Sequence, residues 1–300
     1  MITGFDTALG EITLVLFTTL APSGAVAFML MAVARLLSGA DEGACRRIDK
    51  FLCIPIIVSM VGLVASATHL GNPANALYVF TSVGRSPLST EVFCAVLFLL
   101  FAGVYWLYSF RLRPSRALQR AWLAVSLPVG ALFVTSIAFA YAADTILSWN
   151  TPYAPVTLWL NALTGGPLVA AVGLRAARWR AVEQRFGKVM IALAAAALAA
   201  SGVVYVLQAR SMGAMENAIV SAFDLVPTYW AMLAVFAVLA GVGVVLCARA
   251  LRGEGCGGVA EVSLRAALTQ PIVASALVLL GIFIMRFAFY MMHMTVGMSL

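Results

Sequence analysis

Residues 11–37, EITLVLFTTLAPSGAVAFMLMAVARLL, form a run of 27 that holds no charge between Glu11 and Arg35. A helix needs roughly 20 largely apolar residues to cross a bilayer, and a secretory h-region is shorter. With Asp6 and Glu11 in place of a basic segment at its head, and no clear cleavage site behind it, this run reads as a permanent membrane span. Pro22, Ser23 and Gly24 at its centre allow either a kink or close packing against a neighbouring helix.

Seven further runs of the same kind follow, near 51–70, 88–110, 121–142, 155–174, 188–208, 225–250 and 268–292. They are apolar all round and lack the ~10-residue alternation of barrel strands. The protein is 63% hydrophobic and 10% charged over 300 residues, with a mean hydropathy of +1.01, which lies outside the range of soluble globular domains. The expected fold is an all-α, multi-pass integral membrane protein of eight transmembrane helices forming a single polytopic domain over 1–300.

Sixteen of the nineteen basic residues fall in the loops joining runs one to two, three to four, five to six and seven to eight. Under the positive-inside rule those loops face the cytoplasm, and both termini face outward. The net charge of +7 is therefore explained by topology and calls for no nucleic acid. Cys45, Cys53, Cys94, Cys247 and Cys256 form no C-x-x-C pair, so ligands for an iron–sulfur cluster or a c-type haem are not expected here.

The most informative loop covers residues 69–91, HLGNPANALYVFTSVGRSPLSTE. Gly71, Asn72 and Pro73 stop one helix. Ser86-Pro87 offers an N-cap followed by proline at the first helical position, which puts Glu91 in the second turn of the next helix. Residues 74–83 are long enough for a short interfacial helix. His69, Arg85 and Glu91 are residue types that bind and deprotonate a polar small molecule, although a histidine at a helix end and a carboxylate in an early turn also have ordinary structural uses.

Arg286 lies inside run eight with His293 seven residues later on nearly the same helix face. An arginine facing lipid at mid-membrane costs about 2.5–3.5 kcal/mol, so it either turns inward or snorkels to the surface. The aromatic residues Tyr105, Trp106, Tyr108 and Trp122 read as an interfacial belt. The remaining ionisable residues of the outer loops lie at that same face, and none is placed securely at the midplane.

Several segments resemble one family: EITLVLFT at the start, HLGNP with VGRSPLSTE, GGPLVA in run five, SGVV in run six, LVPTYW in run seven and RFAFYMMHMTVGM at the end. In order and over nearly the whole sequence they are similar to the membrane-anchor subunit of anaerobic dimethyl sulfoxide reductase. The sequence departs from the family's usual wording at Asn75, Leu77 and Ser82. The resemblance implies a menaquinol-oxidising anchor of a bacterial inner membrane that holds an iron–sulfur electron-transfer subunit and a molybdopterin catalytic subunit to the membrane and draws on the quinone pool. It puts quinol binding and oxidation on His69 and Glu91, and a fuller expected site adds Gly71, Pro73, Arg85, Ser89, Arg286 and His293. Two other readings stay open at the level of residues. One is a solute transporter, although transporters more often carry midplane charges. The other is a subunit with a single haem held by His69 and His293.

Overall fold

In the computed structural model, residues 4–39, 41–69, 73–142, 144–216, 221–252 and 264–294 are described. Among them ten α-helices run in order: α1 (Phe5–Gly10), α2 (Ile12–Leu37), α3 (Glu42–Phe51), α4 (Cys53–Ala67), α5 (Pro87–Ser109), α6 (Arg116–Ala140), α7 (Tyr153–Ala176), α8 (Arg185–Met212), α9 (Tyr229–Arg252) and α10 (Leu264–Met291). Eight stretches are long and apolar enough to cross a membrane, α3 and α4 counting together as one. Two 3-10 helices, Pro73–Ser82 and Arg180–Glu183, lie between them. Extended pairing among the described residues is limited to one bridge between Glu216 and Ser221.

The spans differ in how much of them is covered. In α2 and α7, 72% and 78% of the apolar window is buried, against 28% in α5, α8 and α9, so the first two form the axis of the bundle and the last three its rim. Small residues make that axis possible. A Cβ added to Gly24 would sit 2.8 Å from the Pro55 carbonyl oxygen of α4, and one on Gly166 of α7 would sit 2.6 Å from Val26 Cβ of α2. Glycine at those two points lets helix backbones approach in the manner typical of membrane interfaces. α2 runs unbroken through Pro22, so Pro22-Ser23-Gly24 is a packing surface within a continuous helix.

The helix expected from residue 51 starts earlier. Asp41 caps α3 by accepting a hydrogen bond from the Ala44 amide at 2.9 Å, and the backbone turns at Leu52 before continuing as α4. α3 is amphipathic and polar on average, so it escapes a search for apolar runs. The segment Pro73–Ser82 is a 3-10 helix with Leu77 and Tyr78 exposed.

Because successive spans alternate in direction, one end of the bundle gathers Arg35, the α3 arginines, the 111–120 arginines and those flanking α7, α8 and α9. The other end gathers Glu11, His69, Arg85, Asp144, Glu216, Asp224 and His293. That second end is stitched together from distant parts of the sequence. The Gly4 amide donates to Leu225, the Leu147 amide to Met294 and the Trp149 indole to the Phe289 carbonyl, each at 3.0 Å, while the Ser148 hydroxyl donates to Met292.

Candidate functional site

Glu91 reaches its position by the local chemistry expected of it. Gly84 makes the turn with φ of +80°, a conformation that favours glycine. Ser86 then caps α5, its hydroxyl accepting from the Ser89 amide at 3.4 Å, with Pro87 in the first turn. Glu91 falls in the second turn and is 3% exposed, and its Oε2 has no hydrogen-bond partner. A buried polar atom without a partner costs about 1–3 kcal/mol, and more when it is charged.

Arg286 is the second half of the site. It is 1% exposed, so the inward alternative holds and the snorkelling one does not. Its Nε donates to the Thr18 hydroxyl at 3.0 Å, and its guanidinium lies over the Phe289 ring at 4.2 Å and the Tyr141 and Tyr290 rings at 5.7 Å. Such contacts are worth about 2 kcal/mol each when desolvated. They leave Nη2 without a hydrogen-bond partner, and the Tyr290 hydroxyl stands beside Tyr141 and Thr18. No ion pair joins Glu91 to Arg286 among the described residues. Tyr141 and Tyr290 nevertheless lie within electrostatic reach of both Glu91 and Arg286. A buried carboxylate and a buried guanidinium, each with bonding capacity left over, thus share Tyr141 and Tyr290 as neighbours.

The other expected residues are distributed around this centre. His69 is exposed and its Nε2 lies 3.2 Å from Glu11 Oε2 at the head of α2; no hydrogen bond or ion pair among the described residues links it to Glu91. Arg85 is exposed at the rim, and Ser89 is buried in the turn before Glu91. His293 is half-buried with its ring edge-on to Trp149 at 5.0 Å. Pro73 opens the 3-10 helix, and Gly71 lies outside the described residues. The haem pair of His69 and His293 gains nothing from this arrangement, because each ring already has a different neighbour. Among the described residues no group of three or more His, Cys, Asp or Glu could hold a metal ion.

Sequence reasoning missed Thr18, Tyr141, Phe289 and Tyr290. Phe289 and Tyr290 stand three and four residues after Arg286 on the same helix face, a spacing that was available. Nothing local marks Thr18 or Tyr141. A separate, open apolar pocket of about 370 Å³ lies on α10 at Phe283, Phe287 and Met291, with Phe5 and Met232 across from them.

Comparison with known proteins adds the decisive observation. A family model described as DMSO reductase anchor subunit (DmsC) matches residues 5–292. The protein belongs to the dimethyl sulfoxide reductase anchor subunit family. It is 31% identical to the YnfH component of anaerobic dimethyl sulfoxide reductase of Escherichia coli K12 over 97% of each sequence. It is 30% identical to the C subunit of anaerobic dimethyl sulfoxide reductase from the same organism, over 96% of this sequence and 97% of that one. The C subunit of the Haemophilus influenzae enzyme is 26% identical over 98% and 99%. The spans, and the buried Glu91 and Arg286 within them, therefore belong to a membrane-anchor subunit of the dimethyl sulfoxide reductase family.

Proposed function

We propose that this anchor subunit oxidises menaquinol between Glu91 and Arg286 and passes the electrons to an iron–sulfur subunit, which serves a molybdopterin catalytic subunit. The single observation that carries the reading is the pair of buried, unpartnered polar atoms Glu91 Oε2 and Arg286 Nη2, with the Tyr290 phenol in electrostatic reach of both. A quinol has two hydroxyl groups on opposite sides of an aromatic ring. One can donate to a carboxylate while the other accepts from a guanidinium, and the ring suits a lining of Tyr141, Phe289 and Tyr290.

Oxidation releases two protons and two electrons. Glu91 is the proton acceptor, and a carboxylate in that role gains from burial beside a donor that holds the opposite oxygen. His69 and Glu11, paired at the exposed rim of the same end, carry protons to water. Arg286 orients the head group and stabilises the oxygen on which negative charge develops. The electrons leave to the partner's clusters, and the partner docks over the end that carries Arg85, the 3-10 helix Pro73–Ser82 and His293. With the basic loops cytoplasmic, both termini and this end face outward.

Quinol-driven acceptor reduction and quinol-analogue binding in membranes holding the assembled complex test this together. Glu91→Gln keeps shape and lowers turnover about 10²–10⁴-fold while changing analogue affinity little. Arg286→Gln weakens analogue binding as well. Turnover close to wild type in Glu91→Gln, with assembly intact, removes Glu91 from the chemistry.

A further inference from the structure

The arginine-rich end holds a cavity of about 320 Å³ that the quinol reading does not use. Its floor is a buried network drawn from four helices. Arg35 of α2 donates from Nε to both Asp49 oxygens at 2.9 and 3.0 Å and from Nη2 to Gln119 of α6 at 3.0 Å, and Tyr105 of α5 donates to Asp49 of α3 at 2.8 Å. Arg35 is 7% exposed and Asp49 3%. The walls carry Arg46, Arg113, Arg116 and Arg120, with Glu42 as the one further carboxylate.

The charges do not balance. Asp49 answers Arg35 and Glu42 pairs with Arg116, which leaves Arg46, Arg113 and Arg120 with no ion pair among the described residues. Two helices also begin at this cavity. Glu42 stands in the first turn of α3 and Arg116 at the head of α6, both helices being long enough to present a positive N-terminal end. Beside the arginines the lining includes Leu112, which is 93% exposed, and the adjoining end of α5 shows Leu107 and Phe110 at 65% and 56%. A surplus of cations next to exposed apolar side chains matches a ligand that is anionic at one end and apolar at the other.

We infer that this cavity binds the phosphate of an anionic phospholipid, with the phosphate among Arg46, Arg113 and Arg120 and the acyl chains along Leu107, Phe110 and Leu112. Basic pockets between spanning helices recognise such head groups, and each arginine near the membrane surface contributes about a fivefold change in affinity. A free phosphate ion shares the charge chemistry but has no use for the leucines. The site lies at the opposite end from Glu91 and is independent of the quinol reading.

The test uses the purified complex and three probes at equal concentration: short-chain phosphatidylglycerol, short-chain phosphatidylcholine and inorganic phosphate. Thermal midpoints and lipid retained in native mass spectra are recorded. Phosphatidylglycerol raises the midpoint and is retained, whereas the other two are not. Arg113→Gln combined with Arg120→Gln lowers phosphatidylglycerol affinity about 25-fold, fivefold for each arginine, and leaves quinol turnover unchanged. Leu112→Ser, which alters no charge, lowers lipid affinity and serves where the double variant fails to assemble. An equal response to phosphatidylcholine, a response to inorganic phosphate as large as that to the lipid, or unaltered lipid affinity in the variants each overturns the inference.

Discussion

Removing Asp49 takes away one carboxylate and strands two partners. Asp49→Ala leaves the Arg35 guanidinium, 7% exposed, without its counter-ion and the Tyr105 hydroxyl, at 0% exposed, without its acceptor. Breaking a buried pair by deleting one member costs about 3–5 kcal/mol, because the survivor stays desolvated and unpaired. Arg35→Met strands Asp49 in the same way, although Tyr105 still donates to it. In the double variant no buried charge remains, so the loss stays close to that of either single change, and the coupling energy is about 3 kcal/mol. The consequence reaches beyond one pair, since the network ties α5 to α2, α3 and α6, while α5 otherwise packs mainly on α6 and touches α3 and α4 over short stretches. Unfolding of the four proteins of this cycle in a mixed-micelle denaturant titration, followed by tryptophan fluorescence, measures the coupling. Losses that simply add would refute the reasoning, because they would mean that Arg35 and Asp49 do not share one buried network.

Tyr290→Phe deletes a buried hydroxyl beside Arg286 and leaves the ring over which Arg286 lies, so quinol-analogue affinity falls about 3–10-fold, in line with a net ~1 kcal/mol hydrogen bond; a titration of assembled membranes checks it. His69→Ala slows turnover less than Glu91→Gln does, because His69 stands at the exposed rim with Glu11, and a comparison of the two rates in matched membranes decides. Quinol oxidation at this end releases protons on the side that takes the electrons, so a voltage-sensitive dye in reconstituted vesicles records no potential; one that appears with quinol and collapses with an uncoupler refutes the placement. Gly166→Val drives a branched side chain into Val26, where a Cβ alone already sits 2.6 Å from Val26 Cβ, and the thermal midpoint of the purified protein falls accordingly.

The eight spans were legible because each apolar run is long and bounded by charge or a breaker, and hydropathy is a property of the run itself. The entry into α5 was equally plain, since Ser86, Pro87 and Glu91 act within two turns of one another. What the sequence conceals is which residues meet. His69, Arg85 and Glu91 lie on one loop, yet His69 pairs with Glu11 and Arg85 stays at the surface. Tyr105, expected in an interfacial belt with Trp106 and Tyr108, turns inward to Asp49 because α3, too polar to show as a span, carries a carboxylate into the bundle. Asp49 and Gln119 look in the sequence like ordinary members of basic loops. Their burial is set by how α2, α3, α5 and α6 pack, which no local pattern encodes.

Thr18 and Arg286 hydrogen-bond across 268 positions of sequence, joining the first span to the last. During synthesis this has a temporal meaning. Seven spans enter the bilayer before the arginine emerges, and an isolated α10 would carry a charge that lipid disfavours by up to about 2.5–3.5 kcal/mol. α10 is therefore received by a surface already made, from α2, α7 and α9. A polypeptide stopped before its final helix would present Thr18 and Tyr141 with no guanidinium to hold, and its site would lack the donor altogether. Insertion of α10 and closure of the contact between the first and last of these spans are thus the same event.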